Sequence, residues 1–266
     1  MKYIIKLNVI PLFIAMVLLM GCESNDSVST SVYYPQDVNK KVLFEFFSNM
    51  KCEPCIEPHR SFLEPLEVAA GITINDTAVV LLSFQYKWPG PLDSIYRANV
   101  IQNDARASYY NVQGAPAGFS DGTSMGSYSF SLWSDQLSNA MNSTKFTDIT
   151  ISNDFNSSID SGTVTAHVQT LVQPPTNDNV IHVIVTEDHV PYVTAENGIK
   201  MYSAVMRYME TGSDGAQINL VLGQTVNFSI PYGIKNTWKV DDCYIIIFVQ
   251  STSTKQVYGV EKIKVN

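Results

Sequence analysis

The stretch VLFEFFSNMKCEPCIEPHR, residues 42–60, carries the information that decides the fold. It opens on a near-continuous apolar run, 42–47, of the kind that forms a strand covered on both faces. It then sets Cys52 and Cys55 three positions apart, ahead of Pro58 and His59. A second apolar run, AVVLLSF at 78–84, has the same character. Between the two runs Cys55, His59, Phe62, Leu63, Leu66, Ala69 and Ala70 recur at helical spacing and stop at Gly71. Pro58 and Pro65 are expected to kink that helix or confine its start. A C-x-x-C pair that follows a buried strand and opens a helix is placed for redox chemistry. Unpaired N–H groups at a helix start stabilise a thiolate, so Cys52 is the expected nucleophile and Cys55 the resolving thiol. Pro54 suits the first helical turn. Glu53 opposes the dipole, because a carboxylate beside Cys52 disfavours its thiolate and should make the pair more reducing or slower.

Downstream, a helix is expected from 93 to about 109, with Ile95, Ala98, Ile101 and Ala105 on one face, and another over 131–141. Alternating strands and helices predict an α/β layer with a mostly parallel sheet. From about residue 147 the period changes. TDITIS, GTVTAHVQTLV, VIHVIVTE, GIKMYSAVMRYM, AQINLVL, QTVNFSIP, CYIIIFVQ and QVYGVEKIKV are β-branched runs with period-two alternation. Turn formers such as NSSIDSG, QPPTND and TGSDG separate them, which predicts an antiparallel β-sandwich. The boundary is placed near residue 145.

The stretch YYNVQGAPAGFSDG, 109–122, resembles the thioredoxin pattern in which a cis-proline opens a strand facing the dithiol. In that resemblance Pro116 is the proline, and Val112 and Gly114 are the residues before it. Asp121 and Gly122 form the following turn. The run 42–60 is in addition similar to the start of Omp28-type outer-membrane lipoproteins of the Bacteroidota. HVIVTEDHV, AVMRYM, GQTVNFSI and IIIFVQSTSTKQVYGVEKI look like stretches of that family's C-terminal β domain. Ser48 and Asn49 stand where the family has Thr-Gly, and Glu53-Pro54 replaces its more usual dipeptide. The resemblance implies an α/β thioredoxin-like domain at 38–145 followed by an all-β antiparallel, Ig-like sandwich at 146–266. It supports architecture and location more than activity. Thioredoxin is similar also in a buried carboxylate six residues before its first cysteine. Glu45 stands seven before Cys52, an offset that reverses strand parity.

The first 21 residues have the form of a signal peptide: Lys2 and Lys6, an apolar run from Ile10 to Met20, then Gly21. The run is too short for a membrane span. Leu19-Met20-Gly21-Cys22 resembles the bacterial lipobox, which predicts acylation at Cys22 and a lipid bilayer as one partner. Residues 22–37 are Ser-, Asn- and Thr-rich and read as a flexible tether. The formal net charge is −8; without Lys2 and Lys6 the 17 basic residues become 15 against 25 acidic, hence −10. No basic stripe remains for nucleic acid.

Three readings of the cysteine pair stay open at this level: a redox dithiol, an inert disulfide and a metal site. Cys52, Cys55 and His59 fall on one helical face, but no fourth ligand is in view, so neither metal nor cofactor is expected. Glu45, Glu53 and His59 are candidate modulators of the thiols. Trp88 either lines a groove or packs into its loop, and Glu187, Asp188 and His189 are expected to be structural. Cys243 is expected to be a buried apolar residue. The expected site is therefore Cys52, Cys55 and Pro116. Its expected partner is a polypeptide thiol or disulfide, or alternatively a surface protein held without chemistry.

Overall fold

A computed structural model of the chain describes residues 40–63 and 78–266. The leader, the tether, Cys22 and the expected helical positions Leu66, Ala69 and Ala70 lie outside the described residues. Strands β1 (Val42–Ser48) and β2 (Val79–Gln85) are the two apolar runs, buried at every position. They pair in parallel, Val42 opposite Val79 and Ser48 opposite Gln85. Side chains alternate between faces, so each run feeds two cores. Val42, Phe44, Phe46, Val79 and Leu81 meet Phe62, Trp133, Leu137 and both cysteines on one side. Leu43, Phe47, Val80, Leu82 and Phe84 meet Tyr110 and Phe119 on the other. Burial of each such side chain stabilises the fold by about 1.5–3 kcal/mol.

Cys52 precedes a 3-10 turn, Glu53–Cys55, which leads into α1 (Ile56–Pro58) and a π-helical turn, His59–Leu63. Pro58 lacks an N–H for the α ladder and its ring crowds the preceding turn, which accounts for the change of winding there. The helix expected from 93 to 109 is two helices, α2 (Ser94–Ala98) and α3 (Val100–Tyr109). Asn99 leaves helical geometry at φ −154° and caps α3 by accepting from the Gln102 N–H. The buried face of α3 is Gln102, Asn103, Arg106 and Ala107, while Ile101 is 82% exposed. The apolar face expected for this helix is thus corrected to a largely polar one. Helix α4 (Phe130–Met141) forms as expected and buries Trp133 and Leu137.

The remaining strands are β3 (Ala117–Ser120), β4 (Thr123–Ser124), β5 (Thr147–Asn156), β6 (Ser161–Thr170) and β7 (Asn179–Glu187). Then come β8 (Val190–Pro191), β9 (Met201–Tyr202), β10 (Val205–Met209) and β11 (Ala216–Gln217). The last are β12 (Thr225–Gly233), β13 (Cys243–Ser251) and β14 (Val257–Lys264). Six of these join β1 and β2 in one mixed path, β14-β13-β7-β10-β2-β1-β3-β4, with β11 also paired to β7. Strands β12, β6 and β5 form a separate antiparallel sheet.

This order corrects the expected fold class. An α/β domain followed by a separate sandwich would leave β2 and β10 as edges of two sheets. Instead Val205 of β10 lies beside Ser83 of β2 in parallel register, and the Ser83 N–H donates to Ala204 O at 2.8 Å. One nine-stranded, largely antiparallel sheet therefore runs through both halves of the chain. Among the described residues its parallel contacts are β1–β2 and β2–β10. Joining the two edges removes unpaired backbone groups that each would otherwise present.

Strands β7 and β13 explain how the join is packed. Val183, Val185, Ile245 and Ile247 face Val164, Ala166 and Val168 of the three-stranded sheet. Ile184, Ile246 and Phe248 point the other way, into the core built on β1, β2 and α3. That is why all nine residues of β7 are buried. Among the described residues no helix is long and apolar enough to cross a membrane.

Candidate functional site

The loop after β1 carries the cysteines and is held by buried polar groups. Asn49, fully buried, donates from Nδ2 to Tyr86 O (2.7 Å) and Gly90 O (3.0 Å), and its Oδ1 accepts from the Lys51 N–H at 2.9 Å. A Cβ at Gly90 would sit 2.6 Å from Asn49 Oδ1, so the close approach requires glycine there. Asp93 accepts from the Met50 N–H at 3.1 Å and also caps α2 through the Ile95 N–H at 2.8 Å. Burial raises the Asp93 carboxyl above its ordinary value, against those backbone N–H donors. The Cys52 N–H donates to Asn49 O (3.0 Å) and the Cys55 N–H to Cys52 O (3.2 Å), closing the 3-10 turn.

Cys52 and Cys55 form a disulfide, Sγ–Sγ 1.98 Å. Cys52 is 1% exposed and Cys55 fully buried, among Phe44, Phe46, Phe62 and Trp133. Phe44 meets the Trp133 ring edge-to-face at 5.9 Å and Phe62 meets it tilted at 5.9 Å, in the same core cluster as the sulfurs. The 3-10 turn after Cys52 runs on through α1 into the π-helical turn, so Cys52 stands at the N-terminal end of a helical segment, where unpaired N–H groups favour a thiolate. Glu53 is exposed beside it.

Pro116, reached through a cis peptide bond from Ala115, stands at the start of β3. Ala117 pairs antiparallel with Phe47, which sets Pro116 at the end of β1 from which the cysteine loop departs. Ala115 packs against the cluster that holds both cysteines. Two segments 61 residues apart in sequence, Cys55 and Pro116, thus meet at one strand end. The turn after β3 is locked as well: Gly122 has φ +82°, and Asp121 O accepts from the Val257 N–H at 3.1 Å.

The candidate modulators separate. Glu45 lies on the opposite face of β1 from the disulfide, as its parity requires. Its Oε1 accepts from Arg106 Nε at 2.7 Å, and its Oε2 from Arg106 Nη2 at 3.0 Å and from the Tyr110 hydroxyl at 2.5 Å. Gln250 Oε1 accepts from Arg106 Nη2 at 3.0 Å, tying α3 to β13. The guanidinium also lies over the Tyr109, Tyr110 and Phe248 rings. Proton relay from Glu45 to the sulfurs has no path through the sheet. Arg106 is the residue that sequence reading missed; an Arg four positions before Tyr110 and 61 after Glu45 gave no local sign of pairing.

His59 is 2% exposed with its ring centroid 6.0 Å from that of Tyr202. Burial first, and then the Arg60 charge, push its imidazole down to about 4, so it is neutral near pH 7. Among the described residues no group of three His, Cys, Asp or Glu side chains is arranged to hold a metal ion. Trp88 is 59% exposed and does not pack into its loop. Glu187 pairs with Arg207, Asp188 with Lys262 and His189 with Asp242, so their side chains are taken up in ion pairs within the fold. Cys243 is a free, buried thiol.

His59 gives a pH prediction. Its folded value, about 4, lies below the ordinary 6.5, so the unfolded chain binds more protons between those values. Its share of stability is complete above pH 6.5 and is lost as pH falls toward 4, by up to ~3 kcal/mol. Burial lowers His182 in the same direction, while the raised carboxyls of Asp93 and Asp121 act oppositely. Thermal melts should therefore show a lower Tm at pH 5 than at pH 7.5. In His59→Phe that fall should shrink; an unchanged fall would remove His59 from the explanation.

No family model matches the chain, and no curated protein matches its sequence. The chain shares its fold with HBP35 of Porphyromonas gingivalis. The TM-score is 0.71, at 11% identity, covering 86% of this chain and 76% of that one. A domain of the outer membrane lipoprotein Omp28 from Porphyromonas gingivalis aligns over 47% of this chain and 91% of that domain, at 17% identity and a TM-score of 0.33. The likeness to HBP35 concerns fold, and the Omp28 alignment carries no argument beyond itself.

Proposed function

We propose that this chain is an exported, lipid-anchored thiol–disulfide protein that acts on polypeptides through Cys52 and Cys55. The observation that carries the reading is the meeting of the Cys52–Cys55 disulfide with the Ala115–Pro116 segment at the end of a central strand. In the reductive direction the Cys52 thiolate attacks a polypeptide disulfide, and one polypeptide sulfur leaves as a thiolate. Cys55 then attacks Cys52 Sγ, re-forming the internal disulfide and releasing the second thiolate, so two electrons pass to the polypeptide. Oxidation of a dithiol runs the same steps backwards. Reduction of the resting disulfide falls to a dithiol donor in the same compartment. Signal-peptide and lipobox features at 1–22 support an acyl anchor at Cys22 in the outer membrane, on its periplasmic or surface face.

A second reading is favoured by one observation, the 1% and 0% exposure of the two cysteines. In it the disulfide is a fixed staple and the β scaffold binds a surface partner without chemistry.

Reduction of the folded protein separates the two. The chain is treated with dithiothreitol, pulse-alkylated and analysed by mass, with far-UV circular dichroism recorded in parallel. Buried Cys243 serves as an internal reporter of unfolding. A redox site gives alkylation of Cys52 and Cys55 together, reversibly, with Cys243 protected and the β signal retained. A staple gives alkylation of all three thiols at once, as the fold opens. With the Glu53 carboxylate beside Cys52, the expected potential lies well below the roughly −120 mV of DsbA.

A further inference from the structure

The segment from His189 to Ser203 leaves the main sheet after β7 and returns at β10. Its two strands, β8 and β9, share only two residue pairs, Val190–Tyr202 and Pro191–Met201. Among the described residues they join no other strand. Its apolar contacts form a small separate cluster, Ile95, Val190, Ile199, Tyr202 and Val205, with Tyr192 at its margin. A unit whose strands share so few rungs, and whose apolar cluster is small, belongs to the parts of a fold that open at lower free energy than the core.

Both ends of this hairpin are non-glycine residues in the left-handed region, His189 at φ 54° and Ala204 at φ 50°. That conformation is unfavourable for residues with a Cβ, alanine included, and persists only where surroundings impose it. The surroundings are visible at the base. Asp188 Oδ1 accepts from the Ala204 N–H at 2.6 Å, and buried Lys262 lies 3.4 Å from Asp188 Oδ2. The base is clamped, while the tip rests on the cysteine loop.

The tip contacts bracket the disulfide. The Asn197 N–H donates to Met50 O at 2.9 Å, and Asn197 Nδ2 donates to Asn49 O at 3.0 Å. Glu196 pairs with Lys51 at 2.7 Å. On the far side of the cysteines Tyr202 meets the His59 ring, and Ala204 packs in the same cluster as Cys52 and Cys55. Residues on both flanks of the C-x-x-C are therefore covered by one weakly paired hairpin from the other half of the chain.

We infer that the β8–β9 hairpin is a strap that closes over the Cys52–Cys55 disulfide, and that its release at the Asn197 tip controls access to the sulfurs. The inference rests on the exchange reading above. It reconciles a buried pair with chemistry on a polypeptide, because the sulfurs become reachable in the opened state. The backbone N–H of Asn197 holds the loop regardless of side chain, so the Nδ2 donor is the tunable contact.

The test uses Asn197→Asp in the full chain. Asp keeps the acceptor that the Ile199 N–H uses at 3.0 Å, so the tip turn survives. It loses the donor to Asn49 O and sets a carboxylate against that carbonyl, while the Tyr202 hydroxyl, which accepts from Nδ2 at 3.2 Å, keeps Oδ1 as an acceptor for its own proton. The expected result is reduction of Cys52–Cys55 by dithiothreitol accelerated about fivefold or more, the weight of one lost hydrogen bond. Cys243 should remain protected and the redox potential unchanged. An unchanged rate overturns the strap. Should Asn197→Asp fail to fold, hydrogen exchange of the wild type decides. Amides of 190–203 exchanging far faster than those of β7 and β13 support the strap, and equal protection overturns it. If the rate rises but Cys55→Ser captures no polypeptide, the strap stands and the exchange reading falls. If capture occurs with an unchanged rate, the reverse holds.

Discussion

Glu45→Ala is expected to cost about 3–5 kcal/mol, because it removes one partner of a buried ion pair and leaves the other charged. Glu45 is fully buried and Arg106 is 1% exposed, so water does not replace the lost carboxylate. The Arg106 guanidinium would keep Gln250 Oε1 and three ring faces but no counter-charge. Tyr110 would lose its acceptor, and its hydroxyl has no route to ionise, since burial already holds it well above its ordinary value. For a chain of this size the loss corresponds to a fall in Tm of roughly 10 °C or more. Glu45→Gln keeps the shape and one acceptor and should cost less. The readout that matters is paired: urea unfolding for stability, and dithiothreitol reduction of Cys52–Cys55 in whatever fraction stays folded. Stability should fall while the reduction rate holds. A variant that kept its stability but slowed exchange would restore Glu45 to the chemistry.

The same pair shows what the sequence could and could not say. Residues 42–47 and 78–84 read as buried strands, since covering both faces demands continuous apolar runs and these are short and rich in β-branched and aromatic residues. Parity alone separated Glu45 from the cysteines, because a strand alternates faces with a period of two. Pro116 was legible only through the resemblance of 109–122 to the thioredoxin pattern, and the structure sets it at the end of β1 from which the cysteine loop departs. Which strands lie beside one another is a different kind of information. Period-two alternation in GIKMYSAVMRYM marks strands but not their neighbours, so nothing local told that Val205 would sit beside Ser83 and fuse two expected sheets into one. Within that same run, Ala204 at φ 50° splits β9 from β10, a break that alanine does not advertise. Arg106 and Asn197 escaped for a related reason. Each is a polar residue whose partner is remote in sequence, Glu45 for one and Asn49 for the other, and polar residues at such positions look like a solvated face.

Capture of a polypeptide by Cys55→Ser is the second large effect, and it is all or none. Without Cys55 the Cys52 thiolate still attacks a disulfide, but nothing displaces the captured chain, so the mixed disulfide accumulates. Cys52→Ser leaves only Cys55, which is fully buried and lies one turn inside the helical segment, and should capture little. Cys243, on β13 with its thiol pushed up to about 12 by burial, should contribute nothing. Asn197→Asp combined with Cys55→Ser should raise capture further, because the strap would stand open more of the time. The decisive measurement is therefore the yield of mixed disulfide when purified Cys55→Ser, Cys52→Ser and wild-type chains meet an unfolded, disulfide-bonded polypeptide under non-reducing conditions. The expected result is an adduct through Cys52 in Cys55→Ser, with at most a trace in the other two. No adduct in any of the three, with all of them folded, would contradict the redox site and leave Cys52–Cys55 as a staple.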